Sequence, residues 1–303
     1  MKWNIYSKLW MILFVLMGAA CTNQVEDAIP VSGQPIEFSV QSDWKEIPNT
    51  RLNDGKMNFG AKDTIQIFGF HTSLKNEVQK FMYRVGNRAR GQKVGFDGKK
   101  WNYSPKRFWP KEGTLDFYVG YPEYSVLNDE DNHRMTYEQT VNPLQLDLLW
   151  GVATNRDCAT ARNDTVKIWM VHALAKVNIF FDSSLGEIKQ AKVSAYKAGY
   201  FSSADNGVPI WIVDDKTDIQ TAFVPSSTNQ ERIVDATVFI LPEKITGLIL
   251  TRLDDGTEID VSDKIQKYTF KAGKEYNLKI SKGVQKKNTN SRSIAMSVRC
   301  VSE

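Results

Sequence analysis

Past residue 35, apolar and polar residues alternate in short runs bounded by Gly, Asn, Asp and Pro. That period of two is the mark of strands with one buried face. Ile36, Phe38 and Val40 alternate with Glu37 and Ser39, and similar runs cover residues 64–70, 81–85, 114–121 and 134–138. Residues 166–181 are long enough for a helix, but their β-branched and aromatic content points to two strands or one bent strand. Further strands are expected at 191–196, 236–241, 247–253, 268–271 and 276–280, and Asp97-Gly98 and Asp255-Gly256 read as hairpin turns. No segment has the long helical crossover of a parallel α/β sheet, which is therefore not expected. The expected fold is all-β, with two β-sandwich domains in tandem.

The first residues break this pattern. Lys2 and Lys8 precede an apolar run over residues 9–20, too short to span a bilayer and of signal-peptide length. Gly18-Ala19-Ala20-Cys21 resembles a lipobox, with Gly18 where Leu is usual. Acylated Cys21 would then be the mature N-terminus and anchor the chain to the outer membrane, each buried methylene contributing about 0.8 kcal/mol. The other reading is a secreted protein cut after Ala20. Residues 22–35 lack apolar periodicity and read as a tether, and Glu26 and Asp27 resemble an acidic surface-export tract. The expected division is a signal peptide (1–20), a lipidated propeptide with the first strand (21–51), sandwiches at 52–165 and 166–282, and a tail (283–303). The polar stretch 156–163 is expected to join the halves.

Without Lys2 and Lys8 the formal net charge falls from +4 to +2, which points to no nucleic-acid partner. Residues 80–111 are locally basic, with ten Lys or Arg against Asp97. Charged hairpin faces and protected edge strands explain that; a surface for anionic glycan or an acidic partner is the alternative. Cys158 and Cys300 remain as a pair or as two thiols.

Catalytic chemistry finds no motif. His71, His133 and His172 lie far apart in no metal-ligand spacing. Residues 86–93 echo a P-loop without its Gly-Lys-Ser/Thr ending, and Asp129-Glu130-Asp131 and Asp254-Asp255 sit in turns. No catalytic residue, cofactor site or metal site is assigned. The aromatic block Trp101, Tyr103, Phe108, Trp109, Phe117, Tyr118 and Tyr121 reads as core, with a sugar-stacking platform as the alternative.

In the tail, Ile294, Met296, Val298 and Cys300 alternate on one face of a candidate strand. Residues 36–40 with Thr50-Arg51 and 59–70, residues 101–122 (WNYSPKRFWPKEGTLDFYVGYP), residues 171–180 (VHALAKVNIF), and FILP (239–242) with FKAGKEYNLKI (270–280) together resemble the fimbrillin-like proteins of Bacteroidetes. The resemblance implies two transthyretin-like Greek-key β-sandwiches in a subunit of a surface fimbrium that supports adhesion and polymerises with other fimbrial subunits. It also implies a cut after a basic residue that releases the first strand, whose groove then takes a strand from the next subunit. Arg51 is the expected processing site. Ile36, Phe38 and Val40 are the released strand, and Ile294, Met296, Val298 and Cys300 the candidate donor. Residues 297–301 also resemble the end of the Fibrobacter succinogenes major paralogous domain. The competing expectation is a monomeric outer-membrane lipoprotein that binds glycan through surface aromatics.

Overall fold

The computed structural model describes residues 29–42, 59–123, 125–128, 135–138, 144, 146–203, 209–223 and 236–282, and the backbone of 52–53, 56–57 and 296–302. The expected signal peptide (residues 1–20), Cys21, Glu26, Asp27, Arg51, Asp129-Glu130-Asp131, His133 and Ile294 lie outside them.

In chain order the strands are β1 (Val31–Pro35), β2 (Phe38–Ser42), β3 (Leu52–Asn53), β4 (Lys56–Met57), β5 (Thr64–Thr72), β6 (Val78–Met82), β7 (Gln92–Phe96) and β8 (Trp101–Asn102). There follow β9 (Phe108–Pro110), β10 (Thr114–Tyr121), β11 (Val126–Asn128), β12 (Met135–Glu138), β13 (Leu149–Asp157), β14 (Val166–His172), β15 (Ala175–Phe181) and β16 (Ile188–Ser203). The last are β17 (Pro209–Phe223), β18 (Ala236–Ile240), β19 (Ile245–Arg252), β20 (Glu258–Asp260), β21 (Glu275–Lys282) and β22 (Met296–Ser302). A single helical turn, α1 (Ser262–Ile265), lies between β20 and β21. The fold is all-β, as the alternation requires.

The first sheet has the order β2-β14-β13-β10-β5-β7-β8, with β6 also on β5. The stretch 156–163 joins β13 to β14, which are neighbours here, so the chain stays in this sheet past residue 165. The reason is visible in β14, where Val166, Ile168 and Met170 are buried in the first core. The chain leaves at Ala173-Leu174, where Ala173 N–H donates to Leu148 O and Leu174 O accepts from Gly273 N–H. Then β15 begins a four-stranded sheet, β18-β15-β21-β22. Tight approaches select glycine: Gly113 has φ +83°, and a Cβ there would lie 2.3 Å from Thr72 O.

Facing both sheets is a third, β11-β12-β16-β19-β20, with β17 also on β16. The β16–β17 hairpin is long enough to serve two cores. Toward its closed end Phe201 is buried in the first core and Trp211 packs against it. Toward its open end Ala191, Val193 and Ala195 belong to the second core. The ladder slips between Tyr196 and Ala198, a bulge between the two halves. Trp150 closes the first sandwich, its ring edge-on to Phe201 at 4.9 Å.

Candidate functional site

The first segment is placed by alternation. In β2, Phe38, Val40 and Ser42 are buried while Ser39 is half-buried and Gln41 exposed; Ile36, just before it, is fully buried. β2 is an edge strand of the first sheet, running parallel to β14 with Phe38 opposite Val166 and Val40 opposite Ile168. Val166 N–H donates to Glu37 O at 2.8 Å. At the other end Ile36 N–H donates to Arg107 O at 2.9 Å, and Tyr103 Oη donates to Ile36 O at 2.8 Å. Burial pushes the Tyr103 hydroxyl up to about 12, so it stays a donor. Phe38 lies edge-on to Phe117 at 5.3 Å and tilted to Tyr103 at 5.8 Å. Upstream, β1 pairs antiparallel with β9, with Val31 opposite Pro110 and Pro35 opposite Phe108.

Ile36, Phe38 and Val40 are therefore core residues carried on a strand held by one ladder. Burying such side chains stabilises the fold by roughly 1.5–3 kcal/mol each. β2 also walls a cleft of about 660 Å³ whose far side includes Phe96 and Trp101, near the opposite edge of the same sheet.

The tail strand β22 lies elsewhere. It pairs antiparallel with β21 on the edge of its own second sandwich, Met296 opposite Lys282, Val298 opposite Ile280 and Cys300 opposite Leu278. The structure thus pairs β2, which carries the expected released strand, and β22, which carries the described part of the expected donor, with different partners. Cys158 is a buried free thiol, so it makes no disulfide with Cys300; burial pushes its pKa up to about 12.

The other singled-out residues have structural partners. His71 is buried with Nε2 2.9 Å from Glu112 O. His172 Nδ1 lies 2.6 Å from an oxygen of the buried Asp147, whose pKa burial raises. Asp254 and Asp255 are exposed in the β19–β20 turn beside Arg252. Of the aromatic block, Trp101, Tyr103, Trp109 and Phe117 are buried, Tyr118 and Tyr121 pack against the core, and Phe108 is 37% exposed. Among the described residues no group of three or more His, Cys, Asp or Glu is placed to hold a metal ion, and no helix is long and apolar enough to cross a membrane. β1 has no signal in the sequence, because its residues VSGQP carry no apolar alternation, and nothing in the sequence marks Tyr103 as the hydroxyl that pins Ile36.

No curated protein sequence matches the chain. Among solved structures, a candidate cell adhesion protein from Bacteroides uniformis is similar at TM-score 0.53 and 17% identity, over 89% of this chain and 97% of that one. One from Bacteroides ovatus is similar at TM-score 0.55 and 14% identity, over 89% and 96%. The tip fimbrial protein Mfa3 of Porphyromonas gingivalis aligns over 88% of this chain and 99% of that one, at TM-score 0.39 and 9% identity. At such identities the first two likenesses are of fold. The fimbrillin-like family model matches residues 50–295, which is most of the chain. The chain belongs to the fimbrillin-like family.

Proposed function

We propose that this chain is a structural subunit of a surface fimbrium, exported as an outer-membrane lipoprotein through Cys21 and assembled by strand exchange. The observation that carries the reading is the seat of the first strand. Ile36, Phe38 and Val40 fill the first core from an edge strand that a cut after Arg51 would free, together with β1 and the lipid. The emptied seat would expose apolar core along β14 and the Tyr103–Arg107 turn. An apolar groove beside an open strand edge is what β-strand addition fills.

The incoming strand is the tail of another subunit. Ile294, Met296 and Val298 have the same two-residue spacing as Ile36, Phe38 and Val40, so they suit the same register. For this the tail leaves β21, exchanging one ladder for another. Residues 283–295 extend at most about 45 Å, which sets its reach to a neighbour.

The test is to express residues 21–303 without lipid, treat them with an Arg-specific protease, and follow mass and oligomeric state together. A cut after Arg51 accompanied by detergent-resistant ladders is expected, and Arg51→Ala should prevent both. A cleaved chain that stays monomeric would favour a monomeric lipoprotein whose tail keeps its place on β21.

A further inference from the structure

The first sheet nearly closes on itself. Its order begins at β2 and ends at β8, and Cα atoms of these two strands approach within 8 Å. The cleft of about 660 Å³ lies along the seam that remains. Consecutive residues from Glu37 to Ser42 all line it, so it follows the edge of β2 rather than one face. Among the described strands that edge carries no ladder. An edge strand presents backbone N–H and C=O groups on its open side.

The lining combines two chemistries. Phe38, Val40, Phe59, Phe96 and Trp101 supply apolar surface from the first core. Trp169 stands opposite Gln41 in the β14–β2 register and leaves 44% of its surface exposed. Among the described residues its indole stacks on no other ring. Ser39, Gln41 and Thr165 add hydroxyl and amide groups, and Lys99 and Lys100 line the other side of the seam. The acid of their turn, Asp97, is engaged by the backbone N–H groups of both lysines and by the side-chain amide of Asn102. Glu37 is the only carboxylate on the lining. Ser42 also lines the cleft, 1% exposed, and its Oγ has no hydrogen-bond partner. An unpaired buried hydroxyl is unfavourable, and a ligand oxygen that reaches it would remove that penalty.

We propose that this seam binds a short oligosaccharide of about two or three hexose units. The Trp169 indole takes the apolar C–H face of a sugar ring, and the sugar hydroxyls meet Gln41, Ser42, Thr165, the two lysines and the open edge of β2. A peptide strand laid between β2 and β8 would hold them about 9.6 Å apart, wider than their approach. An acyl chain would leave the polar part of the lining unpaired. The site needs only the uncut chain, so it stands whether or not the subunit polymerises. Under the proposed assembly its wall leaves with β2.

The test titrates residues 21–303, without lipid and with Arg51→Ala to keep the chain uncut, against cellotriose, mannotriose, β-1,4-galactotriose and chitotriose by calorimetry. Saturable binding of at least one trisaccharide is expected. Trp169→Ala should weaken it about tenfold. Gln41→Trp, which fills the mouth of the cleft from an exposed position, should abolish it. If neither variant folds, K99Q/K100Q on the exposed turn carries the comparison and should also weaken binding. Phe108→Ala and Leu253→Ala, exposed outside the cleft, should stay within about twofold of the parent. No binding of any trisaccharide, or binding that Trp169→Ala and Gln41→Trp leave unchanged, would overturn the site. A peptide of residues 291–303 that binds the uncut chain and displaces the sugar would replace the oligosaccharide by a strand.

Discussion

Trp150 shows how much one side chain contributes to this fold. It is fully buried, stacked near Tyr118 at 6.2 Å and edge-on to Phe201 at 4.9 Å, so it joins the first sheet to the one facing it. Trp150→Ala should lower stability by about 3–5 kcal/mol, read as a shift of the urea midpoint by circular dichroism. An unshifted midpoint would mean the two sheets do not depend on this contact. Glu123 makes a different kind of contribution. Burial raises its pKa, but hydrogen bonds from Lys93 and Arg84 outweigh that and hold it below its ordinary 4.5. A carboxylate lowered in the folded state stabilises above its ordinary pKa, and the contribution fades as pH falls through the folded value. Glu123→Gln should therefore cost ~1.5 kcal/mol at pH 7, given the exposed Lys93. The gap from wild type should close toward pH 3, and a gap that stays constant between those pH values would refute the pairing as its source.

The β16–β17 hairpin decides whether the two sandwiches unfold together. Its side chains enter both cores, so a lesion in one core should be felt in the other. Among the described residues the second core contains no tryptophan, whereas Trp101, Trp109 and Trp150 lie in the first. Leu250→Ala, deep in the second core, should cost about 2–5 kcal/mol. Its tryptophan fluorescence midpoint should shift together with its circular dichroism midpoint. A fluorescence midpoint at the wild-type value would show two independent units. The elements differ in how well their sequence announces them. Thr114–Tyr121 and Phe38–Ser42 alternate cleanly because each has one face in a core. β17 is not announced by its sequence because Asp214, Asp215, Lys216 and Asp218 interrupt its alternation at the bulge, on both sides of which its ladder to β16 is formed. β13 has a weak sequence signal because its end beyond Val152 is largely solvent-exposed. The strand expected at 268–271 reduces to a bridge of Phe270 to Glu243, with Phe270 buried without a ladder. In the candidate site, Ile36, Phe38 and Val40 were legible from spacing alone. Their parallel partner β14 was not, because nothing local encodes pairing with a strand so far along the chain.

At the scale of the whole molecule, β2 and β22 are edge strands of two different sheets, and that arrangement makes strand exchange testable by deletion. β2 and β22 each hold on by one ladder, β2 on β14 and β22 on β21. Their loss should have unequal consequences. Residues 36, 38 and 40 are buried in the first core, so a chain that starts after Arg51 opens that core. Such a chain should bind an apolar dye and aggregate unless a strand is supplied. A synthetic peptide of residues 291–303 should restore its thermal stability, and the same peptide with Met296→Asp and Val298→Asp should not. In the uncut chain, deletion of residues 294–303 removes an edge strand while β21 keeps its other ladder to β15. That chain should remain a folded monomer. After the Arg-specific cut it should form no ladders by itself, yet it should terminate the growth of intact subunits, because it still offers an empty seat. If the shortened chain polymerises as well as the full one, the tail is not the donor, and β22 is an edge strand of its own sandwich and nothing more.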